Sequence, residues 1–314
     1  MIADLIPLLA QTALLLFLAP LLSGLIKKGK ARLQNRRGAP VWQPYLDLAK
    51  FLRKDMVISE HASWIFRATP YVLFLTALSA GLIVPLVTVQ TPLGLFGGAL
   101  ALVGLLALGR FFLALGGLDP GSAFGGMGSS REMTIAALAE PAMMLAIFTV
   151  ATTAGSTNLS EIVRAGQGSG WTLFQPSHAL AFAAMFIVLL AETGRVPVDN
   201  PATHLELTMI HEAMMLEYSG RYLALMEWSA AIKQFVLMAL LANLFFPVGL
   251  AASATPAALA AGLLFLAAKL LLLAGTVVLI EFTNAKLRLF RVPDLLSVAF
   301  MLATLGLVST FLFL

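Results

Sequence analysis

The sequence predicts an all-α integral membrane protein of about eight transmembrane helices, with an amphipathic helix on the cytoplasmic surface. Three observations carry that prediction. The 314 residues are 60% hydrophobic and 11% charged, whereas a soluble domain carries about 25% charged residues, so a soluble one- or two-domain fold is excluded. The apolar residues gather into stretches near the ~20 residues that a bilayer-crossing helix needs. Half of the 20 Lys and Arg residues fall between the first two stretches, which marks a cytoplasmic loop by the positive-inside rule.

The first stretch, Ile2 to Ile26, has no small-residue cleavage pattern and is longer than a signal-peptide core, so it reads as a retained helix. The basic loop 27–69 follows, with Lys27, Lys28, Lys30, Arg32, Arg36, Arg37, Lys50, Arg53, Lys54 and Arg67. Within it Trp42, Leu46, Ala49, Leu52 and Arg53 recur at helical spacing, while Asp47, Lys50 and Lys54 occupy another face; this predicts the surface helix. Further spans are predicted near Pro70–Val89, Gly97–Gly116, Thr134–Ala154, His178–Thr193, Ser229–Gly249, Leu259–Phe282 and Leu295–Leu314. Threading them puts both termini on the far side. Arg131, Arg195, Arg221, Lys286, Arg288 and Arg291 then fall in cytoplasmic loops, including 194–228, and Arg164 falls opposite. The glycine-containing segment Gly155–Pro176 reads as a flexible far-side loop. With no repeat, low-complexity tract or linker, residues 1–314 read as a single membrane domain.

There is no cysteine, which excludes thiolate-bound iron–sulfur clusters, Cys-type zinc sites and a Cys nucleophile within the chain; any redox centre belongs to a partner. The net charge of +4 is accounted for by the loops, without nucleic acid. His211-Glu212 opens like a zinc-peptidase motif, but that motif needs a second His four residues after the first, and the position holds Met215. Gly125 to Gly128 lacks the lysine of a phosphate loop.

Ionisable groups inside spans cost about 2.5–3.5 kcal/mol each on insertion scales and so meet a partner, a cavity or an ion path. The candidates are Arg110, Glu140, Glu192, Lys233, Lys269 and Glu281. Arg110, Glu192, Lys233 and Glu281 fall near predicted span ends, where they either reach the interface or meet a partner. Glu140 lies inside its span and precedes Pro141, which frees backbone acceptors and points to a polar cavity. Lys269 is mid-span; Glu281 is about 18 Å along the same helix, so a partner of Lys269 belongs to another helix or chain. A second concentration runs from Glu192 through Arg195, Asp199, Glu206, His211, Glu212, Glu217 and Tyr218 to Glu227. Pro197, Asn200 and Pro201 predict a turn there and Thr203–Leu216 a helix. An acidic loop among basic ones suits docking or proton uptake.

Four segments carry a family resemblance: Gln34 to Pro40 with Trp42 to Lys50, Gly117 to Phe124 with Gly128 to Met133, Ala191 to Asp199, and Glu217 to Gly220. They resemble the respiratory complex I subunit 1 family, and within it the branch found in energy-converting (group 4) NiFe hydrogenases, formate hydrogenlyase among them. The resemblance implies a membrane anchor that docks a hydrophilic electron-transfer arm onto antiporter-like membrane subunits and links redox turnover to proton or sodium translocation, in a prokaryotic cytoplasmic membrane. It implies no cofactor in this chain. The NiFe centre and iron–sulfur clusters are expected in the hydrogenase large and small subunits and an iron–sulfur subunit. Carried over by position, Arg131 and Glu140 match the start of a charged axis, Glu192, Arg195, Asp199 and Glu206 the acidic loop, and Glu217 and Tyr218 its closing motif. Arg36, Asp47 and Lys50 match the surface-helix region, placed with Tyr218 at the arm-docking surface; Lys269 joins the coupling residues as the mid-span cation. Ala202 and His204 stand where quinone-using relatives carry acids. The alternative is a quinone-binding membrane subunit of a complex I-like respiratory dehydrogenase. A stand-alone transporter using Glu140 and Lys269 would commonly show inverted repeats, and the sequence shows none.

Overall fold

In a computed structural model the chain is described over residues 2–94, 97–168, 175–200, 209–252 and 255–313. Its helices are α1 (Ile2–Leu33), α2 (Gln43–Arg53), α3 (Trp64–Ile83), α4 (Ala99–Leu118), α5 (Ala123–Ala154), α6 (Leu159–Gly168), α7 (Pro176–Glu192), α8 (His211–Met215), α9 (Gly220–Phe245), α10 (Pro256–Thr283) and α11 (Val292–Phe313), the last led by a 3-10 turn at Leu289–Arg291. Among the described residues 7 helices, α1, α3, α4, α5, α9, α10 and α11, are long and apolar enough to cross a bilayer. The remaining predicted span, His178–Thr193, corresponds to α7, an apolar helix of 17 residues wedged among α5, α9 and α11.

α9 is the hub. It packs on α1, α2, α3, α7 and α10, and its run from Gln234 to Phe245 is buried without interruption. A helix apolar on all sides belongs in a core or a membrane; here it has both, and the polar residues it buries, Ser229, Gln234 and Asn243, bond to neighbours. α5 organises the other half with α4, α7 and α11. The outer helices α10 and α11 expose Leu264, Leu272, Met301 and Phe311, side chains suited to lipid.

Helix-interior prolines leave carbonyls that no water can reach at this depth, and the fold supplies donors. Pro20 leaves the carbonyl of Leu16 without its helical partner, and Trp228 Nε1 donates to it at 3.1 Å. Pro70 does the same to Phe66, whose carbonyl accepts from the Tyr218 hydroxyl at 3.2 Å. Where α3 ends, Gln11 Nε2 donates to the Gly81 and Val84 carbonyls, and Asn243 Nδ2 to those of Pro85 and Leu86.

Contacts of Lys30 with Glu281, Val57 with Ser219, Ser63 with Asp119 and Arg131 with Met209 gather the loops rich in Lys and Arg at one end of the bundle, the basic end. The surface helix matches its prediction as α2. It packs on α1 and α9, its Tyr45 hydroxyl donates to the Phe17 carbonyl, and Trp42, Leu46 and Leu52 stay exposed.

Three local expectations are corrected. The segment 155–176, expected as a flexible loop, contains α6, whose Leu159, Ile162 and Val163 are buried and whose Gly166 faces Pro247; an apolar stripe of one short helix is diluted by the surrounding glycines. α5 and α9 begin at Ala123 and Gly220, ahead of the predicted Thr134 and Ser229, because polar first turns lower the hydropathy without breaking the helix. The predicted helix Thr203–Leu216 is helical at His211–Met215, and residues 201–208, with Ala202, His204 and Glu206, lie outside the described residues.

Gly128 lets α8 rest on α5: a Cβ there would meet Ala213 Cβ and the Ile210 carbonyl, both at 2.9 Å. Gly128→Ala is expected to destabilise by about 1–3 kcal/mol through overpacking. Gly126→Ala, whose Cβ would find its nearest neighbour at 3.9 Å, serves as the neutral control in thermal melts of the solubilised protein.

Candidate functional site

The site grows from Arg110, in the second half of α4 and 4% exposed. Gly109 packs against Thr76 of α3, which brings α4 close to α3 while the guanidinium turns toward α5 and α7. Its Nη1 donates to Glu140 and its Nη2 to Glu192, and its Nε stands 3.5 Å from Glu132 Oε1. Glu132 and Glu140 are about two turns apart on α5 and so share the face toward α4. Glu192 is the last residue of α7, and its second oxygen meets Lys233 Nζ of α9 at 2.8 Å. The second oxygen of Glu132 faces His211 Nδ1 of α8 at 3.7 Å. Three carboxylates therefore share one guanidinium, one lysine and one histidine. Guanidinium is suited to the centre because its fixed fork of donors serves several oxygens at once. A cavity of about 40 Å³ borders this cluster; its wall is mostly apolar, from Leu73, Leu106 and Met226 among others, with Arg110, His211, Lys233, Ser229 and Thr76 as its polar lining.

A second group adjoins the first. After α7 the chain turns at Gly194, with φ +57°, a left-handed conformation that favours glycine. Arg195 then points the other way. Its Nη1 donates to Glu281 Oε1 of α10 at 3.1 Å and its Nη2 to Gln234 Oε1 at 2.9 Å. Gln234 Oε1 also accepts from Ser23 Oγ of α1 at 3.2 Å, and Lys30 Nζ pairs with Glu281 Oε2 at 3.0 Å. Lys233 and Gln234 are consecutive on α9, so the two groups lie side by side there, the first running from Glu140 on α5 to Lys233 and the second from Ser23 and Lys30 on α1 to Arg195. Buried charges at this depth persist only when paired and hydrogen-bonded, and a proton gained or lost at one carboxylate alters the pairing of the next.

Among the predicted site residues, Glu140 and Glu192 come together in the first group and Arg195 lies in the second. Arg131 lies apart from both, its Nη1 donating to the Met209 carbonyl at 2.8 Å. Asp199, buried, pairs with Lys286 at 2.6 Å and accepts from the backbone of Asn200, Ile210 and His211; Arg131 and Asp199 thus hold the loop that carries His211. Lys269 is near the other end of the bundle, its Nζ donating to Asn243 Oδ1 at 3.0 Å and to the Phe246 carbonyl at 2.6 Å. Its partner is on another helix, as predicted, but is neutral. Glu217 is exposed. Tyr218 is buried, its ring stacked on Phe66 at 3.9 Å, so it braces the loop from inside. Arg36 bonds Gln34 and Asp47 bonds Gln43, and Lys50 is exposed; this surface region is separate from both charged groups. Glu206 lies outside the described residues.

Sequence reasoning left out Glu132 and Gln234, read Lys30 and His211 only as loop residues, and placed Arg110, Lys233 and Glu281 near span ends. Lys233 is instead in the middle of α9, and the buried Glu281 is held by two cations. The spacing of Glu132 and Glu140 was the available signal, hidden because the predicted span began after Glu132. Among the described residues no group of His, Asp and Glu forms a metal-ligand set.

The family profile described as NADH dehydrogenase matches residues 6–312. The chain belongs to the NADH dehydrogenase family, of the complex I subunit 1-like kind. Among its relatives, formate hydrogenlyase subunit 4 of Escherichia coli (strain K12) is 36% identical, over 96% of this chain and 97% of that protein. Hydrogenase-4 component C of the same organism is also 36% identical, over 95% of this chain and 93% of its own length. A subunit of the NADH-quinone oxidoreductase of Syntrophotalea carbinolica is 33% identical over 65% of this chain and 63% of that protein. The fold is that of a chain in the structure of the membrane-bound sulfane sulfur reductase, an archaeal respiratory membrane complex, with TM-score 0.83, 23% identity, and coverage of 98% and 99% of the two chains. This family member is thus similar to membrane subunits of hydrogenase complexes over nearly its whole length.

Arg110→Met removes the central cation, leaving Glu140 without its partner and Glu132 and Glu192 with His211 and Lys233 alone; it is expected to cost about 3–5 kcal/mol, with Arg110→Lys milder, in denaturation of the solubilised protein. A second expectation concerns alkaline pH. Burial pushes the Tyr218 phenol above its ordinary value, so the stability linked to its neutral form is complete below the unfolded value of about 10 and is lost as pH rises toward the folded one. The melting temperature should therefore fall above about pH 10, and Tyr218→Phe should fall less over the same interval.

Proposed function

We propose that this chain is the membrane-anchor and energy-coupling subunit of a membrane-bound NiFe hydrogenase complex. It docks the hydrophilic electron-transfer arm at the basic end, on the cytoplasmic side of a prokaryotic inner membrane, and links redox turnover to translocation of protons or sodium. The observation that carries this reading is the chain of ion pairs that ends at Glu140. That carboxylate lies near the middle of α5, and its side chain is 31% exposed. A partly exposed carboxylate at that depth calls for a protein partner or an ion path, so the face of α5 around Glu140 suits a neighbouring antiporter-like subunit. The 36% identity to subunits named for formate hydrogenlyase and hydrogenase-4 favours a hydrogenase. The NiFe centre and iron–sulfur clusters then belong to the large, small and iron–sulfur partner subunits.

In this mechanism, turnover in the docked arm shifts charge or conformation around Asp199, Lys286 and Glu192. Glu192 is shared by Arg110 and Lys233, so any shift in how it divides between them changes the field at Glu140 through Arg110. A nearby cation favours the charged carboxylate and its withdrawal favours the neutral one, which sets the proton affinity of Glu140 by a two-state switch.

Glu140→Gln should leave the complex assembled and evolving hydrogen while turnover-driven ion translocation into vesicles is lost. Unchanged translocation would sink the role given to Glu140. Gentle purification should bring a large subunit with two CxxC pairs. The second reading, a quinone-binding dehydrogenase subunit, draws on the 33% identity to the NADH-quinone oxidoreductase relative; it would be favoured by a large subunit lacking those pairs and by inhibition of turnover with quinone analogues.

A further inference from the structure

We propose that His211 is the group through which protons reach the Arg110 cluster from the basic end, taking a proton from water and handing it to Glu132. The inference rests on the coupling role above and adds to it the place where protons are taken up. His211 stands at the boundary between loop and cluster: its side chain is 22% exposed, that of Glu132 7%, and Nδ1 lies 3.7 Å from Oε2. That distance is an ion-pair contact within a small movement of a hydrogen bond.

The surroundings of the imidazole accept both of its charge states. From α5 it faces Glu132, and around the bordering cavity it is joined by Arg110 of α4 and by Ser229 and Lys233 of α9. On the loop side its backbone N–H reaches Asp199, itself paired with Lys286, and Arg131 holds the Met209 carbonyl nearby. Glu132, Glu140 and Glu192 outnumber Arg110 and Lys233 by one charge. An imidazolium balances that excess, and once the proton has passed to Glu132 the neutral acid balances it equally. The transfer therefore moves a proton without leaving an uncompensated charge in the interior, the condition a relay needs. In the step, the bond from a hydronium or buffer acid to its proton breaks as the imidazole nitrogen binds it. The Nδ1–H bond then breaks as Glu132 Oε2 takes the proton, and His211 returns to neutral. Asp199 and Arg131 act as positioning residues, since both hold the backbone that aims the ring.

The test uses the intact complex in sealed vesicles, driven by a reduced viologen dye, with an enclosed pH-sensitive dye reporting translocation. His211→Asn, which keeps a polar group near the Nδ1 position, is expected to reduce proton uptake per turnover about tenfold or more in fully assembled complex. Free imidazole should restore it by supplying the missing carrier. Wild-type uptake in His211→Asn overturns the proposal, and so does a loss that imidazole does not rescue, which marks a structural role. If Glu140→Gln abolishes translocation while His211→Asn is normal, the relay fails and the coupling role stands; if both are normal, the coupling role fails as well. Should the Asn variant not assemble, ¹⁵N-imidazole spectra of the unmutated complex decide the matter. A His211 ring that changes protonation state between about pH 5 and 9 supports the relay, and one that keeps a single state overturns it.

Discussion

The rest of the interior depends on one buried guanidinium. Arg110 lies where α4, α5 and α7 meet, and without it Glu132, Glu140 and Glu192 could not share a water-poor space, since like charges at such distances drive protonation or expulsion. Its fork of donors lets one cation bind carboxylates from two helices. Those pairs set how α5 and α7 sit against α4, which in turn sets where Lys233 of α9 meets Glu192. Such networks are poor sources of net stability and strong determinants of a particular arrangement when one member is removed.

Around that centre the fold resolves the general problem of backbone in hydrocarbon. Prolines in α1 and α3 release carbonyls, and Trp228 and Tyr218, both outside those helices, supply the donors. At the opposite end Gln11, Asn243 and Lys269 serve the carbonyls where α3 and α9 stop. The side chains that close these bonds come from distant parts of the chain, so the satisfied backbone and the correct tertiary packing form together. Lys269, read as a coupling residue from its mid-span position, has in this setting the contacts of a helix cap: its ammonium lies on the terminal carbonyl region of α9, where a cation is favoured.

Membership of the NADH dehydrogenase family and the polar groups inside the bundle meet in one physical picture. A loop at the basic end, held by Asp199 and Arg131, carries His211 against Glu132, and the ion pairs beyond it run to Glu140, a partly exposed carboxylate on α5. The parts nearest the loop are those that a docked partner could move, and the parts nearest Glu140 are those that a neighbouring membrane subunit could sense. Each carboxylate of the Arg110 cluster has two competing partners or one partner and partial exposure, which is what the proposed coupling by exchange of pairing requires.

The sequence by itself determined the membrane class, the approximate number and order of spans, the clustering of basic loops and the surface helix, because each follows from local composition and periodicity. It also determined the family, through four short segments in order. It could not reveal the site as a set. Glu140, Glu192 and Arg195 were legible as ionisable residues in or beside spans, but Glu132 lay outside the predicted helix and Lys233 looked terminal, because polar first turns hide where a membrane helix begins. Gln234 and Ser23 carried no signal at all, and Lys30 only that of a basic loop. Their meaning comes from which helices become neighbours, and only the packing of α9 against α1, α7 and α10 decided that, since a charge at membrane depth is defined by the partner it meets and not by its place in the chain.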